Sequence, residues 1–344
     1  MTRPHLWARA VACLAGLFCV IAGPACSAAT PRGSAATTST TVNKIEWGVY
    51  TGPGAKGVNG ATSFAAKTGI PVVRVLDFLP DDSWSAMTGA DWLINAHRGT
   101  PYHLELSVPL LPRTGATLSA CASGSYNQHW RTIAKKLVAA GLGDSTIRAG
   151  WEFNGSWYTW SAKGKVGAFI GCYRQLVTTM RAAAPKLTFS WTVNNGSNAM
   201  SADEAWPGPS YVDVIGVDVY DYDYRWYPPA AGTTMDQART ESWKWALHGT
   251  RGLRYWSAFA AARNKPLALA EWGLAWRSDG HAGGDNAIFV NGILDFVYDP
   301  TSRVQYATYF NNNDSTSLKH NVTAANQVFP TASKVLSQRV KAGR

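Results

Sequence analysis

The sequence predicts an α/β fold, a single-domain (β/α)8 barrel. Eight short apolar runs rich in β-branched residues alternate with longer segments of helical periodicity. This alternation begins near Lys44 and fills the ~250–300 residues that such barrels use. Apolar residues make up 46% and charged residues 16% of the 344-residue chain, a composition that excludes disorder over most of its length.

Each predicted strand is a short β-branched run that ends at polar or turn-forming residues. The eight strands are Ile45–Tyr50, Val72–Asp77, His103–Val108, Thr146–Glu152, Leu187–Val193, Val212–Tyr220, Leu267–Trp272 and Val304–Phe310. The clearest helices between them are Tyr126–Ala140, Val166–Ala184, Leu253–Arg263 and Asn286–Tyr298. A doubly wound open sheet is the alternative, but residues 50–57 lack both phosphate-binding glycine spacings, GxGxxG and GxxxxGK[ST].

The N-terminus predicts export. Residues 1–29 combine Arg3 and Arg9 with an apolar run and then small residues, the pattern of a secretory signal peptide. The apolar run is short for a membrane anchor, so no stable span is expected. A lipid anchor on Cys26 after cleavage is a second option. Residues 30–43 are small and hydroxylic and predict a tether, and residues 44–344 form the barrel domain.

The cysteine pattern predicts a disulfide. Five cysteines are present, and those at 13, 19 and 26 leave with a cleaved signal peptide. Cys121 and Cys172 remain on segments expected to be neighbouring outer helices, which suits a bond in an exported protein. Two separate buried thiols are the alternative. No cysteine or histidine spacing indicates a metal site, and no cofactor is expected.

The charge pattern argues against a nucleic-acid partner. The formal net charge is +10, but the Lys and Arg residues are scattered rather than clustered in a known binding module. We expect a monomer, secreted and extracellular, that associates at most with anionic polymer of the cell envelope.

Two glutamates stand out because the chain has only six. Glu152 and Glu271 close the predicted fourth and seventh strands, and active sites of barrels lie at those ends. Aromatic residues and glycine flank both, a setting that raises a carboxyl pKa and suits a general acid. Two facing carboxylates can flank a glycosidic bond. Glu105, by contrast, is expected to pair with an arginine inside the barrel.

Aromatic and polar residues near these strand ends predict a polysaccharide partner, because tryptophan faces pack against sugar rings and leave polar groups for hydroxyls. The candidate substrate-binding residues are Asp77, Trp151, Asn154, Trp157, Trp272 and Trp276.

The segments Trp151-Glu152-Phe153-Asn154-Gly155, Glu271-Trp272-Gly273 and Val217-Asp218-Val219-Tyr220 resemble glycoside hydrolase family 26. The resemblance implies a retaining barrel glycosidase with Glu152 as acid/base and Glu271 as nucleophile. It also implies that Tyr220 holds the nucleophile by a hydrogen bond and that Arg74 lies beside it. The best known activity of that family is endo-β-1,4-mannanase, and some members cut mixed-linkage β-glucan or β-1,3-xylan.

The chain departs from the family pattern at the residue before the acid/base, where Trp151 replaces the usual histidine. The aromatic motif that follows is only partly kept, as Trp157-Tyr158-Thr159-Trp160. The alternatives to a mannanase are therefore a hydrolase of another β-glycan, such as β-glucan, xylan or a cell-wall polymer, and a non-catalytic carbohydrate-binding barrel.

Overall fold

The computed structural model describes residues 44–196 and 198–343, so the predicted signal peptide, tether and Cys26 anchor lie outside the described residues. The strands are β1 (Glu46–Tyr50), β2 (Val72–Phe78), β3 (His103–Val108), β4 (Thr146–Ala149), β5 (Thr188–Asn194), β6 (Val214–Tyr220), β7 (Leu267–Gly273), β8 (Trp276–Arg277), β9 (Val304–Phe310) and β10 (Leu318–Lys319). Strands β1 to β7 and β9 close a parallel barrel, while β8 and β10 form a small antiparallel pair beside it. The (β/α)8 prediction is confirmed.

Helices alternate with the strands around the barrel. They are α1 (Ala55–Thr68), α2 (Trp84–Thr88), α3 (Asp91–Ala96), α4 (Leu118–Ala122), α5 (Asn127–Ala139), α6 (Val166–Ala183), α7 (Met235–His248), α8 (Leu253–Ala261), α9 (Ala287–Tyr298) and α10 (Pro330–Ala342). Helix α5 buries Trp130, Ile133 and Leu137 against the barrel, as its sequence periodicity requires. Among the described residues, no helix combines the length and apolarity that crossing a membrane requires.

Strand β4 ends earlier than predicted. It stops at Ala149 because Gly150 and Glu152 both adopt positive φ angles, 53° and 52°, which break the extended conformation. Gly150 also has no room for a side chain, since a Cβ there would lie 2.6 Å from Leu110 Cδ1. Glu152 therefore belongs to the tight turn after the strand, and this turn projects it above the barrel.

The barrel interior contains a buried polar network as well as apolar side chains. Arg148 on β4 is fully buried and reaches Asp218 Oδ2 at 2.7 Å and Glu105 Oε1 at 3.9 Å. Glu105 also accepts hydrogen bonds from Tyr306 and Thr308 of β9. The expectation that Glu105 pairs with an arginine is confirmed.

A disulfide joins Cys121 of α4 to Cys172 of α6, and both cysteines are buried. The predicted pairing is confirmed. This bond ties the five-residue helix α4, which lies in the connection after β3, to α6 in the outer helical layer.

Candidate active site

Glu152 lies in a defined hydrogen-bond setting at the mouth of the barrel. Its backbone N–H donates to the carbonyl of Thr192 on β5 (3.0 Å), which fixes the turn despite its positive φ. Its carboxylate accepts from Asn194 Nδ2 at 2.5 Å and from Trp157 Nε1 at 2.9 Å. Both carboxylate oxygens are therefore held in place by neutral donors.

Burial raises the pKa of Glu152 to about 7, and the negative charge of Glu271 contributes to this rise. The hydrogen bonds from Asn194 and Trp157 act in the opposite direction, because they stabilise the ionised carboxylate. A carboxyl group that still carries its proton in a substantial fraction of molecules near neutral pH can donate it to a departing oxygen.

Glu271 lies on β7 and is held by two groups, Arg148 of β4 and Tyr220 of the neighbouring strand β6. Its Oε1 atom lies 2.8 Å from Arg148 Nη1, and its Oε2 atom accepts a hydrogen bond of 2.6 Å from the Tyr220 hydroxyl. Positive charge and a phenol donor converge on one carboxylate, which fixes its orientation at the barrel mouth. The predicted proximity of Tyr220 to Glu271 is present in the structure.

Irregular pairing of β7 with both of its neighbours accompanies this placement. The register shifts between Val217 and Asp218 on the β6 side and between Leu269 and Trp272 on the β9 side. Such bulges redirect side chains next to functional sites. Asp218 and Tyr220 are two residues apart on β6, so they share one strand face and both reach toward the Arg148–Glu271 pair.

The mouth of the barrel is a cleft in two halves that meet at Glu152. The half that contains Glu271 has a volume of about 560 Å³ and includes Tyr50, Trp151, Tyr158 and Asp314 in its wall. The other half, of about 970 Å³, is lined by a set of solvent-exposed aromatic side chains: Trp157, Tyr222, Tyr224 and Trp245. We call them the Glu271 half and the Trp245 half.

Five of the predicted site residues meet in this cleft: Glu152, Glu271, Tyr220, Trp151 and Trp157. The prediction is wrong for Arg74, which lies near the start of β2 at the opposite end of the barrel. There it pairs with Glu46 at 2.7 Å and donates to Thr146. The arginine that contacts Glu271 is Arg148.

The structure also places Asp77 and Asn154 outside the cleft wall. Asp77 is fully buried, accepts from the backbone N–H of Gly54 and contacts His97 Nε2 at 2.9 Å, so it anchors the start of α1. Asn154 is likewise buried and exchanges two hydrogen bonds with the backbone of Asn194. Each fixes backbone near the site and is too buried to contact substrate directly.

The two tryptophans that follow Glu271 line neither half of the cleft. Trp272 is fully buried and packs edge-to-face against Tyr309, with ring centroids 4.9 Å apart, so it belongs to the core. Trp276 lies on β8, where Lys319 covers its ring at 4.6 Å. Strand alternation explains the first result, because Glu271 points inward and its neighbour therefore points outward.

Sequence reasoning missed several residues that hold the two glutamates, chiefly Asn194, Arg148 and Asp218. A signal for Arg148 was present, since an arginine inside the apolar strand Thr146–Ala149 needs a buried acidic partner. Asn194 gave no such signal, because its role depends on the turn geometry of Glu152. Within residues 44–196 and 198–343, no cluster of His, Cys, Asp or Glu is arranged to hold a metal ion.

Comparison with known proteins shows a similarity to glycoside hydrolases. The sequence profile "Glycosyl hydrolase family 26" matches residues 133–232, a stretch that contains Glu152 and Tyr220. The chain is a glycoside hydrolase family 26-like barrel. Its fold resembles the endo-beta-1,4-mannanase catalytic domain of Bacillus sp. JAMB-750, with a TM-score of 0.61 at 15% identity over 86% of this chain and 85% of that one. A Bacillus subtilis mannanase gives 0.55 at 16% identity over the same shares.

Two curated relatives extend the sequence match of this family 26-like barrel. One is "Endoglucanase H" of Acetivibrio thermocellus, 27% identical over 209 residues, which are 58% of this chain and 21% of the relative. The other is "Mannan endo-1,4-beta-mannosidase" of Bifidobacterium adolescentis, 27% identical over 161 residues, 44% of this chain and 15% of the relative. The chain thus spans about a fifth or less of the length of these relatives.

Proposed function

We propose that this protein is a retaining glycoside hydrolase that cuts a β-linked polysaccharide internally. The observation that carries the proposal is the contrast between two carboxylates at the barrel mouth. Glu152 has neutral hydrogen-bond donors and a pKa of about 7, whereas Glu271 contacts the positive charge of Arg148. Such contrasting environments assign the acid to one group and the nucleophile to the other.

In the proposed reaction, Glu152 gives its proton to the glycosidic oxygen as Glu271 attacks the anomeric carbon. The bond to the leaving sugar breaks, and a covalent glycosyl ester forms on Glu271. Glu152, now ionised, takes a proton from water, which attacks the anomeric carbon and releases Glu271. Tyr220 and Arg148 hold the nucleophile in line throughout, since both contact its carboxylate.

The cleft supports internal cleavage of a chain. It continues on both sides of Glu152, so sugars can occupy both halves at once. The sugar that is attacked must occupy the Glu271 half, because the nucleophile lies there. The leaving portion then extends along the exposed aromatic side chains of the Trp245 half, which suit the faces of sugar rings.

The proposed substrate is β-1,4-mannan, with a β-glucan as the alternative. Support comes from the relatives and structural neighbours described above, which are named as mannanases and an endoglucanase. We also propose that the protein is exported. The signal-like composition of residues 1–29 and the disulfide between Cys121 and Cys172 support this.

The test is hydrolysis of purified mannans, β-glucans and xylans, with the anomeric form of the first product followed by proton NMR. We expect the β-anomer first and a rapid loss of chain length, the sign of internal cleavage. The Glu271→Gln variant should bind oligosaccharides without cutting them. Initial release of the α-anomer would contradict retention, and undiminished activity of Glu271→Gln would contradict the assigned nucleophile. Binding without hydrolysis by the unaltered protein would indicate a carbohydrate-binding barrel instead.

A further inference from the structure

Tyr158 has no role in the mechanism above, yet it lines the Glu271 half of the cleft. The oxygen of this hydroxyl accepts a hydrogen bond of 3.0 Å from Trp151 Nε1. An indole nitrogen is a donor only, so the phenol cannot give its own proton back to Trp151. Within the described part of the chain, no hydrogen bond from the Tyr158 hydroxyl to another group is found.

The Tyr158 ring is held rigidly from two sides. It stacks on Trp160 with centroids 4.3 Å apart and planes 10° apart, and it meets Trp151 edge-on at 5.1 Å. Trp160 is in turn fixed by a hydrogen bond of 2.9 Å from its indole N–H to the carbonyl of Trp151. These three side chains form a closed group, which we call the Trp151–Tyr158–Trp160 cluster.

The electrostatic setting keeps this hydroxyl protonated. Burial raises the pKa of Tyr158 well above its usual value, and the nearby carboxylates of Glu152 and Glu271 raise it further. The hydroxyl oxygen accepts from the indole of Trp151, the ring packs against Trp151 and Trp160, and Tyr158 lines the cleft, so its proton is available to a ligand there. A donor placed in advance costs a ligand little entropy to use.

We propose that Tyr158 is a substrate-binding residue that donates a hydrogen bond to a hydroxyl of the sugar in the Glu271 half, with Trp151 as its positioning residue. This inference rests on the proposed function. It also gives a role to Trp151, the residue at which the chain departs from the family pattern. The indole of Trp151 would act on the substrate through the hydroxyl of Tyr158. The recognised chemistry is a hydroxyl oxygen on the ring that Glu271 attacks.

Binding to an inactive variant tests this proposal without requiring turnover. The probes are tetrasaccharides prepared from β-1,4-mannan and from mixed-linkage β-glucan, titrated calorimetrically into Glu271→Gln. Adding Tyr158→Phe, which keeps the stacked ring and removes only the hydroxyl, should weaken binding of the preferred tetrasaccharide about 5- to 15-fold. Tyr126→Phe is the matched control, because that hydroxyl accepts from the backbone of Thr117 and does not line the cleft.

Probes that lack one hydroxyl at a time identify the sugar oxygen. For one deoxy tetrasaccharide, the loss of affinity for Glu271→Gln should equal the loss that Tyr158→Phe causes with the parent tetrasaccharide. Combining that deoxy probe with Tyr158→Phe should then cause no further loss. Equal affinities with and without the Tyr158 hydroxyl would overturn the proposal, as would additive losses for every deoxy probe. Tight binding that depends on Tyr158, together with no hydrolysis by the unaltered protein, would overturn only the proposed function.

Discussion

At the residue scale, the different roles proposed for Glu152 and Glu271 depend on what each carboxylate contacts. Asn194 and Trp157 offer Glu152 neutral N–H donors, whereas Arg148 brings a full positive charge to Glu271. Both glutamates sit close enough for the charge of Glu271 to raise the pKa of Glu152. A change in the charge of Glu271 therefore alters the proton affinity of Glu152.

The acid role of Glu152 predicts a dependence on the leaving group. Glu152→Ala should lower the rate of polysaccharide cleavage about 10²- to 10⁴-fold, because the departing oxygen then receives no proton. Aryl glycosides whose leaving phenol is already acidic need no such proton, so formation of their glycosyl-enzyme should be nearly unaffected. Pre-steady-state release of a dinitrophenol measures this step. Equal losses on both substrate types would exclude Glu152 as the acid.

The same hydrogen bonds predict the pH profile. Glu152 must carry its proton in the first step, so kcat/KM should fall as the pH rises through about 7. Asn194→Ala removes a bond that stabilises the ionised form, so the pKa rises and this alkaline limb moves to higher pH. Trp157→Phe should act in the same direction.

The control for this profile is Trp92→Phe, because Trp92 is an exposed tryptophan that does not line the cleft. The alkaline limb of Trp92→Phe should lie at the same pH as that of the unaltered protein. An alkaline limb that stays in place in Asn194→Ala, or that moves to lower pH, would contradict the assignment of that limb to Glu152.

At the scale of elements, the connection after β4 is the part of the site that the sequence pattern could not specify. Short β-branched runs predicted all eight barrel strands, because burial on both faces demands such residues. The same pattern extended β4 to Glu152, since it carries no sign of the positive φ at Gly150 and Glu152. Tertiary contacts, such as the bond from Glu152 N–H to Thr192, impose that turn.

The arginine beside Glu271 shows a second limit of pattern reasoning. Alternation along a strand indicates which side chains point into a barrel, but the stagger between strands decides how high each one lies. Arg74 and Arg148 both join polar groups inside the barrel, yet Arg74 meets Glu46 near the strand starts and Arg148 meets Glu271 near the strand ends. Only the assembled barrel distinguishes them.

Asn154 gives a prediction at this scale, because its amide joins the β4 connection to the end of β5. Asn154→Ala would remove the acceptor of the Asn194 N–H and the closer donor to the Asn194 C=O in a partly buried position. We expect a loss of about 2–4 kcal/mol in the free energy of unfolding, measured by urea denaturation. The alkaline limb of the pH profile should also move to higher pH, since the hydrogen bond from Asn194 to Glu152 would be less well positioned.

The matched control is Asn95→Ala on α3. Among the described residues, the exposed side chain of Asn95 forms one hydrogen bond, a long one of 3.5 Å from Arg98, so its loss should change stability little. A substrate-binding role for Asn154 makes a different prediction, namely a higher KM with unchanged stability. That result would show that Asn154 contacts the substrate.

At the scale of the whole molecule, the disulfide is a covalent constraint on the outer layer that leaves the cleft untouched. It closes a loop with a sequence separation of 51, and neither cysteine lines either half of the cleft. In the chain-entropy account, a cross-link of this span stabilises the folded state by about 4 kcal/mol, mainly by restricting the unfolded chain. Stability and catalysis should therefore respond separately to its loss.

The double variant Cys121→Ala/Cys172→Ala should melt about 5–10 °C below the unaltered protein, because 4 kcal/mol is a modest share of the unfolding entropy of a domain this large. Calorimetry measures the shift, and kcat at 20 °C should remain within about twofold, since Glu152 and Glu271 are positioned by β4 to β7 and not by α4. A thiol reductant should lower the melting temperature of the unaltered protein toward that of the variant and leave the variant unchanged. If the reductant instead lowered both melting temperatures equally, the stabilisation would have another origin. If the variant lost activity while still folded, the helical layer would be needed to position the active-site residues.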